Sequence, residues 1–447
     1  MNKKILGLAI PNIITNITVP LLGMVDMAIV GHLSATHIGA ITIGTSIFNL
    51  IYWNFGFLRM GTSGFTAQAY GARDFEEAVR IFVRAFGLAL LIAATLIVLQ
   101  YPISLLAKAI FNGSSEVIQL ALTYFFVRIW AAPATLGLYS IKGWFIGMQN
   151  SKLPMWIAIF INVVNILCSL LFVLVLHWDI AGVALGTVIA QYSGLIVGLF
   201  FARKYYGRLI RRHIHIRESL RWSEMKAFFK VNSDIFLRTI CLAAVFTFVT
   251  SASGKISDEV LAIDALLLQF CTLFSYIMDG FAYAGESLVG RYIGAHDQRQ
   301  LKISVRWLLV WGIGLTLVFT VVYALFGENI LRIFSDDEAI ITGTMHYQFW
   351  ILAIPICGFS AFLFDGIFIG ATASRTMRNA MFIASAAFFA VYYLGRYAFS
   401  DGGTVVLSEF TANNILWTAF LIYLTLRGVL LAFRLHPDVY NRALERI

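Results

Sequence analysis

Charged residues are scarce in this 447-residue chain: Asp, Glu, Lys and Arg make up 13% of it, whereas hydrophobic residues make up 60%. An ordinary soluble domain has roughly 25% charged residues. The mean hydropathy is correspondingly high, at +0.81. The composition therefore excludes an ordinary soluble domain and indicates a protein that is solvated by lipid.

Cysteine and catalytic motifs are also scarce. The four cysteines all fall inside apolar stretches, with neither metal-ligand spacing nor a plausible extracytoplasmic disulfide pair. The sequence contains no Gly-x-x-x-x-Gly-Lys, no Gly-x-Ser-x-Gly and no His-Glu-x-x-His motif. We therefore expect no enzyme, no metal site and no cofactor. The energy for active transport would then have to come from a gradient of H+ or Na+.

Twelve apolar stretches are long enough to cross a bilayer, which takes about 20 residues. They lack the alternation of barrel strands, and an open sheet cannot satisfy its backbone in hydrocarbon. The sequence therefore predicts an all-α membrane protein with twelve transmembrane helices. The stretches cover roughly residues 7–31, 38–65, 81–107, 117–148, 153–177, 180–202, 226–253, 259–290, 302–326, 338–370, 376–398 and 404–432.

The two halves of the chain repeat each other. The motif Gly143-Trp-Phe-Ile-Gly147 returns as Gly366-Ile-Phe-Ile-Gly370, and positions 143 and 366 differ by 223, about half the chain. The motif Gly71-Ala-Arg-Asp74 returns at the same offset, starting at Gly294. Because each half has six spans, we predict two six-helix lobes related by a pseudo-twofold axis along the membrane normal. Such duplication is typical of secondary transporters.

Basic residues give the chain a formal charge of +9, and they lie at the ends of apolar stretches rather than in a nucleic-acid-binding patch. They crowd the hydrophilic segment from Tyr205 to Arg221, where they could also contact anionic lipid. The positive-inside rule then predicts that both termini are cytoplasmic in a multi-pass inner-membrane protein. We place an N-lobe at residues 1–221 and a C-lobe at residues 222–447.

Asp26 lies inside the first span, about five residues from its outer end, and Pro20 precedes it. A charge within a span is costly and is a functional candidate by default. Removal from water disfavours the charged form of a carboxyl group, so Asp26 could take up a proton from outside and release it inside. Pro20 removes a backbone hydrogen bond and could let the helix bend. The alternative is an aspartate that is hydrogen-bonded for packing only.

The eighth span carries further acidic candidates, Asp264, Asp279 and Glu286. The seven-residue step from Asp279 to Glu286 puts those two on one helix face, where they could line a substrate cavity. Glu286 lies close to Arg291 near the cytoplasmic end, so a structural ion pair or a snorkelling anchor is the alternative for it.

The remaining candidates for a substrate cavity are charged residues in other spans. Lys142 and Asp365 are 223 positions apart and carry opposite charges, so they could face each other across a cleft or be paired within their own lobes. Arg59 and Arg128 need anionic partners and could equally be structural clamps.

Three neutral polar residues, Asn165, Ser169 and Thr187, lie in the fifth and sixth spans and could join Asp26 in one pocket. Such groups also bind neighbouring helices, at about 0.6 kcal/mol per hydrogen bond. Aromatic residues form 15% of the chain and could stack flat organic cations.

Several long motifs resemble the multidrug and toxic compound extrusion (MATE) family, specifically its DinF-like branch. They are the stretch from Asn16 through Asp26 to Gly31-His32-Leu33, Leu58-Arg59-Met60, Thr66 to Ala72, Asp279 to Ala284, Asp365 to Thr372, and Met377-Arg378-Asn379. The resemblance implies two six-helix lobes in a V around a cleft, and export of cationic or amphiphilic compounds in exchange for H+ or Na+. Members of the family generally act as monomers.

The resemblance also implies roles for individual residues. The essential first-helix aspartate of DinF-like members falls on Asp26, the fifth-helix asparagine on Asn165 and a sixth-helix threonine on Thr187. The bendable first-helix proline falls on Pro11. Many relatives have a second aspartate where this chain has Ser169, so a single-proton cycle is expected rather than a Na+ site.

The functional hypothesis is therefore a secondary multidrug antiporter that works by alternating access and couples protonation of Asp26 to bending of the first helix. Its partners would be small organic cations or amphiphiles and membrane lipids, without nucleic acid. The alternatives are a flippase for lipid-linked oligosaccharides or lipids from the same superfamily and, more distantly, an intramembrane transferase that uses acids such as Asp264 or Asp279 as bases. A passive channel is a further possibility.

Overall fold

The computed structural model describes residues 1–31, 35–111, 114–400 and 407–444, and within these ranges the chain is helical and contains no strand. His32 and Leu33 of the first motif lie outside the described residues. The α-helices are α1 (Asn2–Gly31), α2 (Ala35–Asn54), α3 (Phe57–Gly71), α4 (Phe75–Val98), α5 (Gln100–Ile110), α6 (Ser115–Arg128), α7 (Ala132–Gly147), α8 (Lys152–Leu170), α9 (Asp179–His213), α10 (Ile216–Ser219), α11 (Trp222–Ile256), α12 (Asp258–Gly294), α13 (Gln298–Phe334), α14 (Glu338–Met345), α15 (Gln348–Gly370), α16 (Ser374–Phe399) and α17 (Glu409–Leu435).

Over the described residues, twelve helical spans are long and apolar enough to cross a membrane, six in the first half of the chain and six in the second. This confirms the predicted all-α class and its twelve spans. The second span consists of α2 and α3, and the fourth of α6 and α7 joined by a 3-10 turn. The spans are Asn2–Asp26, Thr36–Gly71, Phe75–Val98, Ser115–Gly147, Lys152–Val175, Asp179–His213, Met225–Ile256, Asp258–Gly294, Gln298–Phe334, Gln348–Gly370, Ser374–Phe399 and Glu409–Ala443.

The hydrophilic segment between the halves is partly helical. The sequence predicted the sixth span to end near residue 202, whereas α9 continues to His213. Arg211, Arg212 and His213 form its last turn, where positive charge favours the helix dipole. The residue contacts divide the chain into an N-unit, residues 7–232, and a C-unit, residues 1–6 with 233–447. The lobe boundary after Arg221 stays a prediction.

The repeated Gly-x-x-x-Gly motifs mark the same helix crossing in each unit. In the N-unit, α7 crosses α3 so closely that a Cβ on Gly143 would lie 2.4 Å from the carbonyl oxygen of Arg59. In the C-unit, α15 crosses α12, and a Cβ on Gly366 would lie 2.0 Å from the carbonyl oxygen of Ala282. Arg59 and Ala282 are themselves 223 positions apart. Small residues allow such backbone approach in membrane helices.

The repeated Gly-Ala-x-Asp motif is a turn between helices. Arg73 and His296 adopt φ values of 59° and 52°, in the left-handed region. The amide of Asp74 donates to the carbonyl of Ala69, and that of Asp297 donates to the carbonyl of Tyr292, which satisfies the ends of α3 and α12. The Asp74 and Asp297 carboxylates then cap the next helices, each accepting a backbone N–H three residues on at 2.9 Å.

Candidate functional site

Four polar side chains that the sequence singled out lie together in the N-unit. Asp26 of α1 is 7% exposed, and Asn165 and Ser169 of α8 are fully buried. The Ser169 hydroxyl donates to Asp26 Oδ1 at 3.4 Å, and Asn165 Nδ2 donates to Thr187 Oγ1 at 3.0 Å. Asn165 Oδ1 has no hydrogen-bond partner among the described residues. The cluster therefore combines one acid with neutral groups and a spare acceptor.

Helix geometry explains how α8 and α9 form one side of this cluster. Asn165 and Ser169 are four residues apart, so they share a face of α8. Gly186 precedes Thr187 on α9, and a Cβ there would lie 2.9 Å from Ser169 Oγ. The missing side chain lets α9 approach α8 until Thr187 reaches Asn165. Thr187 Oγ1 in turn donates to the carbonyl of Val183 at 3.2 Å.

Arg128 provides a positive charge next to this cluster. Its Nη1 donates to the Tyr124 hydroxyl at 2.6 Å, and its guanidinium lies 4.8 Å from the ring centre of Phe48. The charges of Arg128 and Asp26 are close enough to interact. The guanidinium of Arg128 is therefore in contact with one phenol hydroxyl and two aromatic rings.

Both prolines of the first span lie inside α1, which runs without a break from Asn2 to Gly31. The carbonyl of Pro11 accepts from the Thr15 hydroxyl at 2.9 Å. Asn162 of α8 donates to the carbonyl of Thr18, two residues before Pro20, at 2.9 Å. Side chains of α1 and α8 therefore bind backbone carbonyls close to the prolines, and bending at Pro11 or Pro20 stays a prediction.

In the C-unit, Asp365 is paired within its own unit. Its Oδ2 accepts from Arg238 Nη1 at 2.6 Å and from Arg427 Nη2 at 2.8 Å. Both arginine side chains are at most 4% exposed, whereas Asp365 is 18% exposed. Two buried cations therefore share one carboxylate.

The other acids of the C-unit have different surroundings. Asp264 is buried and accepts from Trp417 Nε1 at 2.7 Å, from Asn413 Nδ2 at 2.9 Å and from the Ser253 hydroxyl. These neutral donors satisfy its carboxylate among α11, α12 and α17. Asp279 is partly exposed and Glu286 is fully buried, so the two do not form one uniformly accessible stripe.

Lys142 and Arg59 lie where α7 crosses α3 in the N-unit. Lys142 immediately precedes Gly143, which packs on the backbone of Arg59. Lys142 is partly buried. It makes no hydrogen bond or ion pair with any residue that the structure describes. Its repeat counterpart Asp365 is doubly paired, so the equivalent positions of the two units differ in both charge and pairing.

Sequence analysis missed three charged residues that matter for these clusters. Arg238 and Arg427 hold Asp365, and Asp234 accepts from Arg378 Nη1 at 2.5 Å and from the Ser374 hydroxyl at 2.9 Å. Each lies within an apolar stretch, and the cost of a charge inside a span was the signal that could have identified it.

Twelve apolar helical spans, divided into two units with matching helix crossings and turns, define a multi-pass membrane protein of the secondary-transporter class. Comparison with known proteins gives the family. The MatE family profile matches residues 11–171 and 235–394, and the chain belongs to this family. This confirms the resemblance drawn from the motifs. The family comprises transporters, which agrees with the expectation that the chain is not an enzyme.

The relatives point to the same family. The chain is 35% identical to DNA damage-inducible protein F of Escherichia coli (strain K12) over 442 residues, which cover 96% of this chain and 91% of that protein. It is 22% identical to multidrug resistance protein MdtK of Yersinia pseudotuberculosis, over 97% of this chain and 94% of the relative.

Solved structures share the fold. The chain superposes on the crystal structure of MATE in the bent conformation with a TM-score of 0.87 at 17% identity, covering 99% of this chain and 97% of the other. The straight conformation gives a TM-score of 0.82 at 18% identity, with 97% and 96% covered. At these identities the likeness establishes the fold alone.

Proposed function

We propose that this protein is a multidrug efflux antiporter of the inner membrane, with both termini cytoplasmic, that exports small organic cations or amphiphiles in exchange for H+. The relative that the chain matches over nearly its whole length, MdtK, is named as a multidrug resistance protein. We further propose that it acts as a monomer, without a cofactor, and that Asp26 carries the coupling proton.

The observation that carries this proposal is the setting of Asp26. The carboxyl group is 7% exposed, on a helix that contains two prolines, and its hydrogen bond to Ser169 is long at 3.4 Å. Burial disfavours the charged form of a carboxyl group, and a long hydrogen bond from a neutral hydroxyl offsets little of that cost. Such a group can change state during each transport cycle.

The groups next to Asp26 can change their hydrogen bonds when its protonation changes. A charged Asp26 accepts from Ser169 and interacts with Arg128. A protonated Asp26 can donate a hydrogen bond. Asn165 Oδ1, which has no partner among the described residues, could accept it. We infer that this exchange of partners draws α1 toward α8 and bends it at Pro11 or Pro20, which releases the cargo outward.

The energy available is sufficient for export. One proton contributes about 1.4 kcal/mol per unit of pH difference. A membrane potential adds about 2.3 kcal/mol per charge per 100 mV. Each 1.4 kcal/mol corresponds to a tenfold concentration ratio of cargo, so a single titrating carboxyl can support a useful gradient.

The test is cation-dye efflux from proteoliposomes in which the pH gradient and the Na+ gradient are varied separately. Asp26→Asn keeps the shape of the side chain and removes its titration, so we expect gradient-driven efflux to be lost. The matched control is Glu116→Gln, which neutralises an exposed acid of the same unit and should leave efflux intact. Full pH-driven efflux by Asp26→Asn would rule out this residue as the coupling group, and efflux driven by Na+ alone would replace H+ as the ion.

A further inference from the structure

One face of α7 presents partly exposed polar side chains, whereas most of the helix is buried. Every residue from Ala134 to Gly147 is described, and in this stretch only Thr135, Tyr139 and Lys142 are partly exposed. Their spacing of four and three residues puts them on one side of the helix. We call these three residues the α7 stripe.

Two arginines and a tyrosine from other helices adjoin the α7 stripe. Tyr139 interacts electrostatically with both Arg59 and Arg128. Tyr52 of α2 interacts with Arg128 and with Tyr139. The backbone of Arg59 touches α7 at Gly143, next to Lys142. Lys142 therefore shares this part of the N-unit with two arginines that interact with Tyr139.

Few acids lie within the spans of the N-unit. The described acids of its spans are Asp26, which interacts with Arg128, and acids in the first turns of α4, α6 and α9. Lys142 makes no ion pair with any described residue. An unpaired cation in a poorly hydrated place is costly, and an anion from outside the chain would reduce that cost.

We propose that the α7 stripe binds the anionic group of an amphiphilic cargo, a carboxylate, sulfate or phosphate, with the Lys142 ammonium as its counter-charge. The Tyr139 and Thr135 hydroxyls can donate hydrogen bonds to the same group. This inference rests on the proposed transport function and adds that its amphiphilic cargoes include compounds that carry a negative charge. In the C-unit, the equivalent position holds Asp365, whose charge is already paired within the chain.

Equilibrium binding to the purified full-length protein in phosphatidylcholine nanodiscs tests the proposal. The probes are a dansyl-labelled fatty acid and its methyl ester, which differ only in the negative charge. We expect the wild type to bind the acid about tenfold more tightly than the ester, the effect of one charge-assisted hydrogen bond. Lys142→Met should lose this preference, and Lys142→Arg should keep it.

Two further variants make the test specific. Lys108→Met removes an exposed lysine of the same unit and should keep the preference for the acid. Tyr139→Phe removes one donor of the α7 stripe and should weaken acid binding about threefold without changing ester binding. Equal binding of acid and ester by the wild type would overturn the proposal, and this comparison requires no variant to fold. A full preference retained by Lys142→Met would overturn it as well.

Adding phosphatidylglycerol to the nanodiscs distinguishes a lipid phosphate from a soluble anionic cargo as the ligand. If it competes with the dansyl acid in the wild type, the stripe holds a lipid phosphate, and if it does not, the stripe selects soluble cargo. Binding at equilibrium needs no ion gradient. A negative binding result would therefore not contradict the coupling role of Asp26. Likewise, unchanged efflux by Asp26→Asn would not contradict anion binding at the α7 stripe.

Discussion

Replacing Asp365 by Asn tests the charge cluster of the C-unit most directly. Its Oδ2 holds Arg238 at 2.6 Å and Arg427 at 2.8 Å, and the two guanidiniums are 4% and 3% exposed. An asparagine keeps the shape but removes the negative charge that both guanidiniums contact. Removing one partner of a buried ion pair costs about 3–5 kcal/mol. Because Asp365 retains some contact with solvent, we expect a loss near the lower end, about 3 kcal/mol.

The assay is unfolding in a mild detergent, followed by the fluorescence of the ten tryptophans at a fixed rate of heating or of denaturant addition. The second variant combines Asp365→Asn with Arg238→Met, which removes one of the two cations that contact position 365. We expect this double variant to recover part of the lost stability, since a hydrophobic replacement of a buried ion is often tolerated.

The matched control is an exposed ion pair of the same unit. Arg332 binds Glu338, and both side chains are largely exposed. This bond holds the pKa of Glu338 below its usual range, so any stability it adds is present near neutral pH and is lost as the pH falls through that pKa. Water screens the pair, so Glu338→Gln should change the unfolding midpoint very little. Equal shifts for Glu338→Gln and Asp365→Asn would refute the argument from burial.

Two further predictions follow from the helix packing and the N-unit cluster. Gly366→Ala should cost about 1–3 kcal/mol, because its Cβ would lie 2.0 Å from the carbonyl oxygen of Ala282. Gly314→Ala on α13 meets nothing within 4 Å and should instead stabilise, by up to about 1 kcal/mol, so equal unfolding midpoints would contradict the packing argument. Ser169→Asp should add a second buried carboxyl group beside Asp26 and raise the number of protons exchanged per cargo molecule. This is measured by proton flux and cargo flux in the same vesicles, and an unchanged ratio would count against a shared site.

Much of the architecture could be predicted from the sequence because the hydrocarbon core of a membrane permits few backbone structures. A span must be a helix of about 20 apolar residues, so the twelve spans could be counted from composition. The offset of 223 residues predicted two similar halves, and the matching turns at Arg73 and His296 share their backbone conformation. The local spacing of Asn165 and Ser169 likewise put both on one face of α8.

Two features of the structure could not be predicted from the sequence. Composition did not show that α9 continues to His213, because a helix leaving the membrane can extend through polar residues. It also did not separate Asp264, which has three neutral donors, from Asp279, which is partly exposed. Both are acids within the same helix, and their surroundings come from other helices.

The sequence by itself therefore determined the number of spans, the repeat and the acid that the first helix carries into the membrane. Only the tertiary structure decided which charges neutralise each other. Arg238 is 127 positions from Asp365 and Arg427 is 62 positions from it. A charge inside a span must find a partner or remain costly, but helix packing sets the distances, which is why Asp365 is paired twice and Lys142 is paired with no described residue.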